Sequence, residues 1–397
     1  MRVILQVVAG PHKGLEFAFD RHDTFLVGRS KHAHFQLPAK DKYFSRIHFM
    51  MEVNPPECRL IDMGSHNGTF VNGAQVLTAD LKDGDQIRAG HTVLRLAVER
   101  SGALPGAVSF HAAAPGSKGL PTIPGYTLDR ELGRGAMGIT YLARSAPGAP
   151  PVAVKVVQPS FPGTKEQIDA FLKSARNLTQ LDHPHIARLH EVGACPYGLY
   201  FVSEYVVGAN AAEIVKRDGP LAIKRGVQWG NQILLSLQYA HGRNYIHYDL
   251  KPSNILIASA GDKEVVKLGD YALARVYQAA PFSGLGFTAA LLAQASFVPP
   301  EMLFNYQDVN PLADQYSAAA VIYYLLTGDQ VLDLPKEGRR RFTSLLRRQQ
   351  IPIRERRPDI SASLAEVLHK ALARTPAQRH ANAGAFRQAL MKCLSET

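Results

Sequence analysis

The chain has 397 residues, 46% hydrophobic and 20% charged, a balance that supports two or three folded domains rather than disorder. Its 45 Lys+Arg against 34 Asp+Glu leave a formal charge of +11, which admits a nucleic acid, a membrane surface or an acidic or phosphorylated partner. No apolar run reaches the roughly 18 residues of a membrane span, and Cys58, Cys195 and Cys393 are too scattered for a disulfide framework or zinc site, so a cytoplasmic location is expected.

The N-terminus, MRVILQVVAG, lacks the cleavage pattern of a leader and reads as a strand. Short alternating runs follow, among them 24–27, 53–61 and 92–98. Turn signals separate them at Gly10-Pro11, Asn67-Gly68, Asn72-Gly73 and Asp83-Gly84. Residues 1–98 therefore read as an all-β sandwich. Residues 99–125, rich in Gly, Pro, Ala and Ser without a period, read as a flexible linker. Residues 126–397 mix strands and helices. They open around a Gly-rich turn and include an apolar run at 318–326 that fits a buried helix.

Four clusters stand out in the sandwich: Gly28-Arg29-Ser30, Ser45-Arg46-Ile47-His48, Ser65-His66-Asn67-Gly68-Thr69 and Val71-Asn72-Gly73. Gathered at one end, they offer guanidinium, hydroxyl and amide donors suited to a phosphate. Asn72 and Gly73 need only build a hairpin turn. In this order the clusters resemble the forkhead-associated (FHA) domain over residues 1–98, a β-sandwich that binds phosphothreonine peptides. The resemblance implies that Arg29 and Ser45 hold the phosphate and that Arg46 assists. Asn67 would contact the peptide backbone, and His48 would tie the loops together.

Gly133-Arg134-Gly135-Ala136-Met137-Gly138 is a G-x-G-x-x-G. A dinucleotide-binding turn would continue into a helix, but the next segment is strand-like and leads to Val152-Ala153-Val154-Lys155. Such glycines let backbone approach phosphates that Lys155 can pair with. Three motifs follow in order: His247-Tyr248-Asp249-Leu250-Lys251-Pro252-Ser253-Asn254, Asp270-Tyr271-Ala272 and Pro299-Pro300-Glu301. Asp314, Ser317 and Arg379 come after them. Residues 126–393 resemble a bacterial-type (eukaryotic-like) Ser/Thr protein kinase, an α+β two-lobed fold. The expected architecture is thus multidomain: sandwich 1–98, linker 99–125 and kinase-like domain 126–397. The resemblance implies ATP with Mg2+ or Mn2+. Asp249, Lys251 and Lys155 would be catalytic, and Asn254 and Asp270 would hold the metal. Gly133, Gly135, Gly138, Lys155, Glu204 and Val206 would surround the nucleotide, with Ser203 as a small gatekeeper opening a back pocket. Glu301 and Arg379 would form a structural pair.

Three departures accompany the resemblance. Counting back nine residues from His183 puts Ser174 where the family has the glutamate that orients the lysine. Asp169 and Glu166 lie at the wrong helical spacing to replace it. In Asp270-Tyr271-Ala272, Tyr keeps an aromatic plug, while Ala disfavours the positive φ open to glycine. The arginine expected before Asp249 is Tyr248, so loop phosphorylation is not expected to switch this chain in the usual way. Gln294 replaces a Thr, and the surrounding loop is apolar, with Ser283, Thr288 and Ser296 as its phosphate acceptors.

Two functions therefore stand side by side. One is an FHA-containing Ser/Thr kinase transferring the ATP γ-phosphate to proteins. The other is a pseudokinase scaffold with little or no transfer. The FHA module would bind phosphothreonine on partners or on the chain itself. A linker with a mean reach of about 25–30 Å makes Thr122 and Thr288 internal candidates. Residues 1–98 carry 12 basic and 10 acidic side chains, whereas 336–357 carry nine and two. The charge excess is thus mostly one arginine-rich stretch, readable as a dock for protein substrates or an acidic partner, or as a solvated face. Nucleic acid has no motif support beyond charge.

Overall fold

The computed structural model describes residues 1–37, 43–99, 107–108, 110, 120–135, 137–160, 162–261, 263–280, 282–285, 294–304, 309–334 and 349–394. Alternation builds the N-terminal sandwich. Strand β1 (Arg2–Ala9) turns Val3, Leu5 and Val7 into the core. One sheet runs β2 (Glu16–Phe19), β1, β11 (Thr92–Glu99), β10 (Gln86–Ala89), β7 (Thr69–Val71), β8 (Ala74–Val76). The facing sheet runs β4 (Phe35–Gln36), β3 (Asp23–Gly28), β5 (Phe49–Asn54), β6 (Glu57–Asp62), β9 (Thr78–Leu81). Asn72 (φ 50°) and Gly73 (φ 87°) make the tight turn from β7 to β8, the structural role expected of them.

Strand β5 breaks the alternation, because all six of its residues are buried. Phe49, Met51 and Val53 enter the sandwich core. Met50 faces the other way and joins Leu26, Ile47, Ile61 and Met63 in a second cluster. Its remaining members, among them Ala295, Val298, Met302 and Leu332, belong to the C-terminal part. A sheet face open to water would be polar; this one is covered by protein. At its edge Asn54 Nδ2 donates to Ser283 Oγ and to the Gly284 carbonyl, both at 3.2 Å. Arg59 Nη1 donates to the Leu285 carbonyl at 3.3 Å.

The C-terminal part has two lobes. The smaller is an antiparallel sheet in the order β13 (Thr127–Gly135), β14 (Gly138–Arg144), β15 (Val152–Val157), β18 (Gly198–Glu204), β17 (Leu189–Cys195). Helix α1 (Lys165–Arg176) packs on it. A capping box opens this helix: Thr164 Oγ1 accepts from the Gln167 N–H, and Gln167 Oε1 accepts from the Thr164 N–H. Part of the expected flexible linker is ordered here. Its β12 (Ala107–Val108) pairs antiparallel with β16 (Gly163–Thr164), just ahead of α1. Residues 100–106, 109 and 111–119 lie outside the described residues.

The larger lobe holds β19 (Gly208–Asn210), β20 (Ile255–Ala260), β21 (Lys263–Leu268) and most of the helices: α2 (Ala211–Asp218), α3 (Ile223–His241), α4 (Leu273–Gln278), α5 (Pro300–Phe304) and α6 (Leu312–Thr327). The apolar run falls in α6, buried on every side as expected. It lies close to α3 because Gly226 and Gly230 have no side chain. A Cβ there would come within 2.6 Å of Leu326 and 2.8 Å of Ile322. Arg379 meets Glu301 at 2.6 and 2.8 Å, the expected structural pair.

Of the arginine-rich stretch, 335–348 lies outside the described residues. Arg356 pairs with Asp329 at 3.0 Å and Asp333 at 2.6 Å. Arg357 donates to the Leu221 and Leu326 carbonyls at 2.6 and 2.7 Å. These two brace the lobe. No helix among the described residues is long and apolar enough to cross a membrane.

Candidate functional site

A cleft of about 420 Å³ is lined by residues of both lobes. The β13–β14 hairpin overhangs it. Gly138 (φ 141°) is obligatory, because a Cβ would sit 2.1 Å from the Val156 carbonyl oxygen. Nothing crowds Gly133 or Gly135, so the hairpin backbone stays open to a ligand. Strand β15 carries Lys155, whose Nζ lies 2.6 Å from Asp270 Oδ2. Ser203, Glu204 and Val206 line the cleft where β18 ends. With Ser203 so small, Leu178, Leu181, Ile186 and Phe201 also line it, giving the apolar recess expected behind a small gatekeeper. The Glu204 carboxylate is engaged by Lys267 at 2.8 Å.

Asp249, Lys251 and Asn254 sit in the loop between α3 and β20. Asp249 Oδ2 accepts from Lys251 Nζ at 2.7 Å and from Asn254 Nδ2 at 3.1 Å. Asn254 Nδ2 also bonds the Asp249 carbonyl at 2.8 Å. Buried Asp314, at the start of α6, fixes this loop. It accepts the His247 N–H at 2.8 Å and the Tyr248 N–H at 3.2 Å, and it meets His241 Nε2 at 2.8 Å. Burial alone would raise the Asp270 pKa. The Lys155 ammonium, followed by Lys251, overcomes that and holds the carboxyl below its ordinary value.

An ionised Asp270 and the amide oxygen of Asn254 are hard oxygen donors. Among the described residues, no group of three or more His, Cys, Asp or Glu could hold an ion by itself. Magnesium is commonly bound by one or two carboxylates together with substrate phosphates. The donor set therefore fits an ion that arrives with a nucleotide.

The departures are visible in the structure. Ser174 is exposed on α1, and Asp169 lines a different groove beside Val108 and Phe110. No acid on α1 meets Lys155; its partner is Asp270. Ala272 does adopt the left-handed region (φ 54°), contrary to expectation. Tight packing imposes it, since Ala272 is 5% exposed, at a cost of about 1–2 kcal/mol. Tyr271 is buried with its ring 4.6 Å from the His247 ring, and its hydroxyl has no partner among the described residues. Ser296 is buried and donates to Gln330 Oε1 at 2.7 Å, so it is not an accessible phosphate acceptor. Thr288 lies outside the described residues, and Thr122 is exposed.

The residues expected to read a phosphate gather at one end of the sandwich. Arg29 follows β3; its N–H donates to the Ser45 carbonyl at 3.1 Å and its Nε to the Phe44 carbonyl. Ser45 Oγ accepts the His66 N–H at 3.0 Å, and Asn67 Nδ2 donates to the Tyr43 carbonyl at 3.1 Å. Arg46 is exposed beside Ser45. His48 is buried and joins two loops: Nδ1 accepts the Ser45 N–H at 3.2 Å, and Nε2 bonds the Gly68 carbonyl at 3.2 Å. Asp62 went unnoticed in the sequence. Its carboxylate accepts from the Gly64 and Ser65 N–H groups and the Thr69 hydroxyl, shaping the loop that carries Asn67. The Asp-x-Gly-Ser spacing was the available signal.

A model of the protein kinase domain matches residues 126–391, and one of the FHA domain matches residues 25–90. The chain belongs to the protein kinase family. The kinase is 30% identical over 270 residues to serine/threonine-protein kinase PknA of Mycobacterium tuberculosis, covering 67% of this chain and 60% of that protein. It is 31% identical over 273 residues to PknB of Mycolicibacterium smegmatis, covering 67% and 42%. The chain spans about half the length of the curated relatives it matches. The M. tuberculosis PknI kinase domain superposes with a TM-score of 0.53 at 27% identity, covering 73% of this chain and 100% of that one. Rad53 residues 1–466 with AMP-PNP superpose over 97% of this chain and 99% of that one, with a TM-score of 0.55 at 21% identity; the likeness is one of fold.

Two predictions concern the kinase core. Tyr271→Phe removes a buried hydroxyl without a partner among the described residues and should raise stability by about 1–3 kcal/mol, read as a higher Tm. Burial also keeps His247 neutral, lowering its pKa against the opposing pull of Asp314, Asp249 and Asp270. His183, His185, His369 and His380 shift down for the same first cause. Below about pH 6.5 the unfolded chain therefore binds more protons at these sites than the folded kinase. Stability should be complete above that pH and fall as the pH drops toward the lower folded values. A Tm that stays flat between pH 7.5 and 5.5 would contradict this.

Proposed function

We propose that this chain is an ATP-dependent Ser/Thr protein kinase whose FHA module, ending near residue 98, binds phosphothreonine on other proteins or on the chain itself. The observation that carries the reading is that Lys155, Asn254 and Asp270 line one cleft roofed by the glycine hairpin, with Asp249 and Lys251 joined to it through the Asp249–Asn254 hydrogen bond. In this reading Gly133, Gly135 and Gly138 approach the phosphates, Lys155 pairs with them, and the chain at Glu204 and Val206 meets the base. Asp249 takes the proton of a substrate Ser or Thr hydroxyl. That oxygen bonds the γ-phosphorus as the bridge to the β-phosphate breaks and ADP leaves. Lys251, 2.7 Å from Asp249, sits where it can neutralise the transferring group. Asn254 and Asp270 would hold Mg2+ or Mn2+, which would supply neutralisation of the phosphate charge.

One observation favours the scaffold alternative: Lys155 has no acidic partner on α1. Its pairing with Asp270 affects positioning, whereas loss of a metal ligand would remove the chemistry. Transfer from γ-labelled ATP to acceptor proteins, with Asp249→Ala as control, decides between the two. Label no higher than the control's would leave the scaffold.

A further inference from the structure

The catalytic loop and the phosphate-reading loops meet in one apolar cluster. Ile47, between Arg46 and His48, and Met63, next to Asp62, enter it from the phosphate-reading end. Tyr248, next to Asp249, enters it from the catalytic loop. Between them the outer sheet face of the FHA domain, through Leu26, Met50 and Ile61, packs on Ala295, Val298 and Met302. Ala295 is fully buried and Val298 is 7% exposed. Asn54 and Arg59 extend the contact to Ser283, Gly284 and Leu285. Tyr248 acquires a role here. Where an arginine would read a phosphate on this segment, an aromatic ring packs against it, with the Arg275 guanidinium 5.7 Å from the ring centroid. The segment before Pro299-Pro300-Glu301 is held by a sheet rather than by a phosphate.

A protein substrate must bring its hydroxyl within hydrogen-bond reach of Asp249, with its chain lying alongside. Ala295, Val298 and Met302 share a cluster with Tyr248 and so flank that position, and the FHA face occupies them. We propose that the FHA domain is an internal lid on the protein-substrate face of the kinase, released when a phosphothreonine peptide binds. Among the described residues, those lining the nucleotide cleft all belong to the kinase, so the lid leaves it open.

Release follows from how the phosphate site is now engaged. Arg29 Nε donates to the Phe44 carbonyl, Ser45 Oγ accepts from His66, and Asn67 donates to the Tyr43 carbonyl. An incoming phosphate takes bonds from the same three side chains and so pulls on the loops that carry Ile47 and Met63, two anchors of the lid. The peptide therefore binds the undocked form better. By reciprocity, docking weakens peptide binding by the same factor.

The test uses the full chain, casein as acceptor, and a degenerate phosphothreonine peptide pool with its unphosphorylated counterpart. Met50→Asp places a charge in the apolar contact. Asn54→Ala with Arg59→Ala cuts the polar edge and guards against a folding defect in the first variant. Both should raise casein phosphorylation, Met50→Asp by about 5- to 150-fold, the ordinary span of coupling between sites. ATP affinity should not change. In the wild type the phosphorylated pool should accelerate hydrogen exchange of the Phe297, Val298 and Met302 amides, which now donate to Gln294, Ala295 and Pro299. Only the activity arm rests on the kinase reading. If no form transfers phosphate, that reading fails and exchange alone decides: a peptide-induced rise upholds the lid, and its absence overturns it. In an active enzyme, variants no faster than wild type, or slower, overturn it too.

Discussion

Asp249→Ala should reduce phosphate transfer to protein substrates by about 10²- to 10⁴-fold, the range expected when a positioned general base is lost. The loss should appear in kcat. Asp249 is not among the residues lining the nucleotide cleft, whereas Lys155, Asn254 and Asp270 are, so ATP affinity should hold. The substitution removes the acceptor of two donors, Lys251 Nζ and Asn254 Nδ2. Asn254 keeps its bond to the Asp249 carbonyl, which holds it in the position proposed for a metal ligand. Asp270→Asn should fail differently. It removes the charge that meets Lys155 at 2.6 Å and the carboxylate assigned to the metal, so dependence on Mg2+ or Mn2+ concentration should shift together with rate. Radiolabel transfer and ATP titration, run on both variants, separate the roles. An Asp249→Ala protein as active as wild type would assign the label to a contaminant and remove the kinase reading.

The parts of this molecule legible in sequence are those fixed by local chemistry. Gly138 could be read because the spaced glycines mark the hairpin, and at φ 141° beside the Val156 carbonyl only a residue without Cβ fits. Asn72-Gly73 could be read because only residues that accept positive φ turn so tightly. The two-sided burial of β5 was not legible. FMMEVN carries apolar residues on both faces, but nothing local says that the second face meets residues some 240 positions later. The apolar character of the segment before Pro299 was visible; its partner was not. Ser296 fails as a phosphate acceptor for the same reason, since its burial is set by tertiary packing. Ala272 at positive φ is the converse case. Local preference pointed away from the left-handed region, and the packing around Tyr271 and His247 overrode it.

Arg29→Ala should reduce phosphothreonine-peptide affinity by about 10²- to 10⁴-fold. The figure follows from two lost bonds to a charged group at about 1.5–3 kcal/mol each, with tenfold per 1.4 kcal/mol. Position supports this size of effect. Arg29 leaves the end of β3 with its backbone tied to the Ser45 carbonyl and its Nε to the Phe44 carbonyl, so its guanidinium lies against the loop that carries Ser45. Gly28 permits that approach, because a Cβ there would lie 2.3 Å from the Arg46 carbonyl oxygen. Arg29→Lys keeps the charge without the planar fork and should fall between wild type and Arg29→Ala. Arg46→Ala, at an exposed position beside the site, should cost far less, because an exposed charge is screened. Titration with matched phosphothreonine, phosphoserine and unmodified peptides measures each step. Equal binding of all three peptides by the wild type would show that the loop cluster is not reading a phosphate. Wild-type affinity in Arg29→Ala would move the site away from β3, leaving Ser45 and Asn67 with only their present loop-closing bonds.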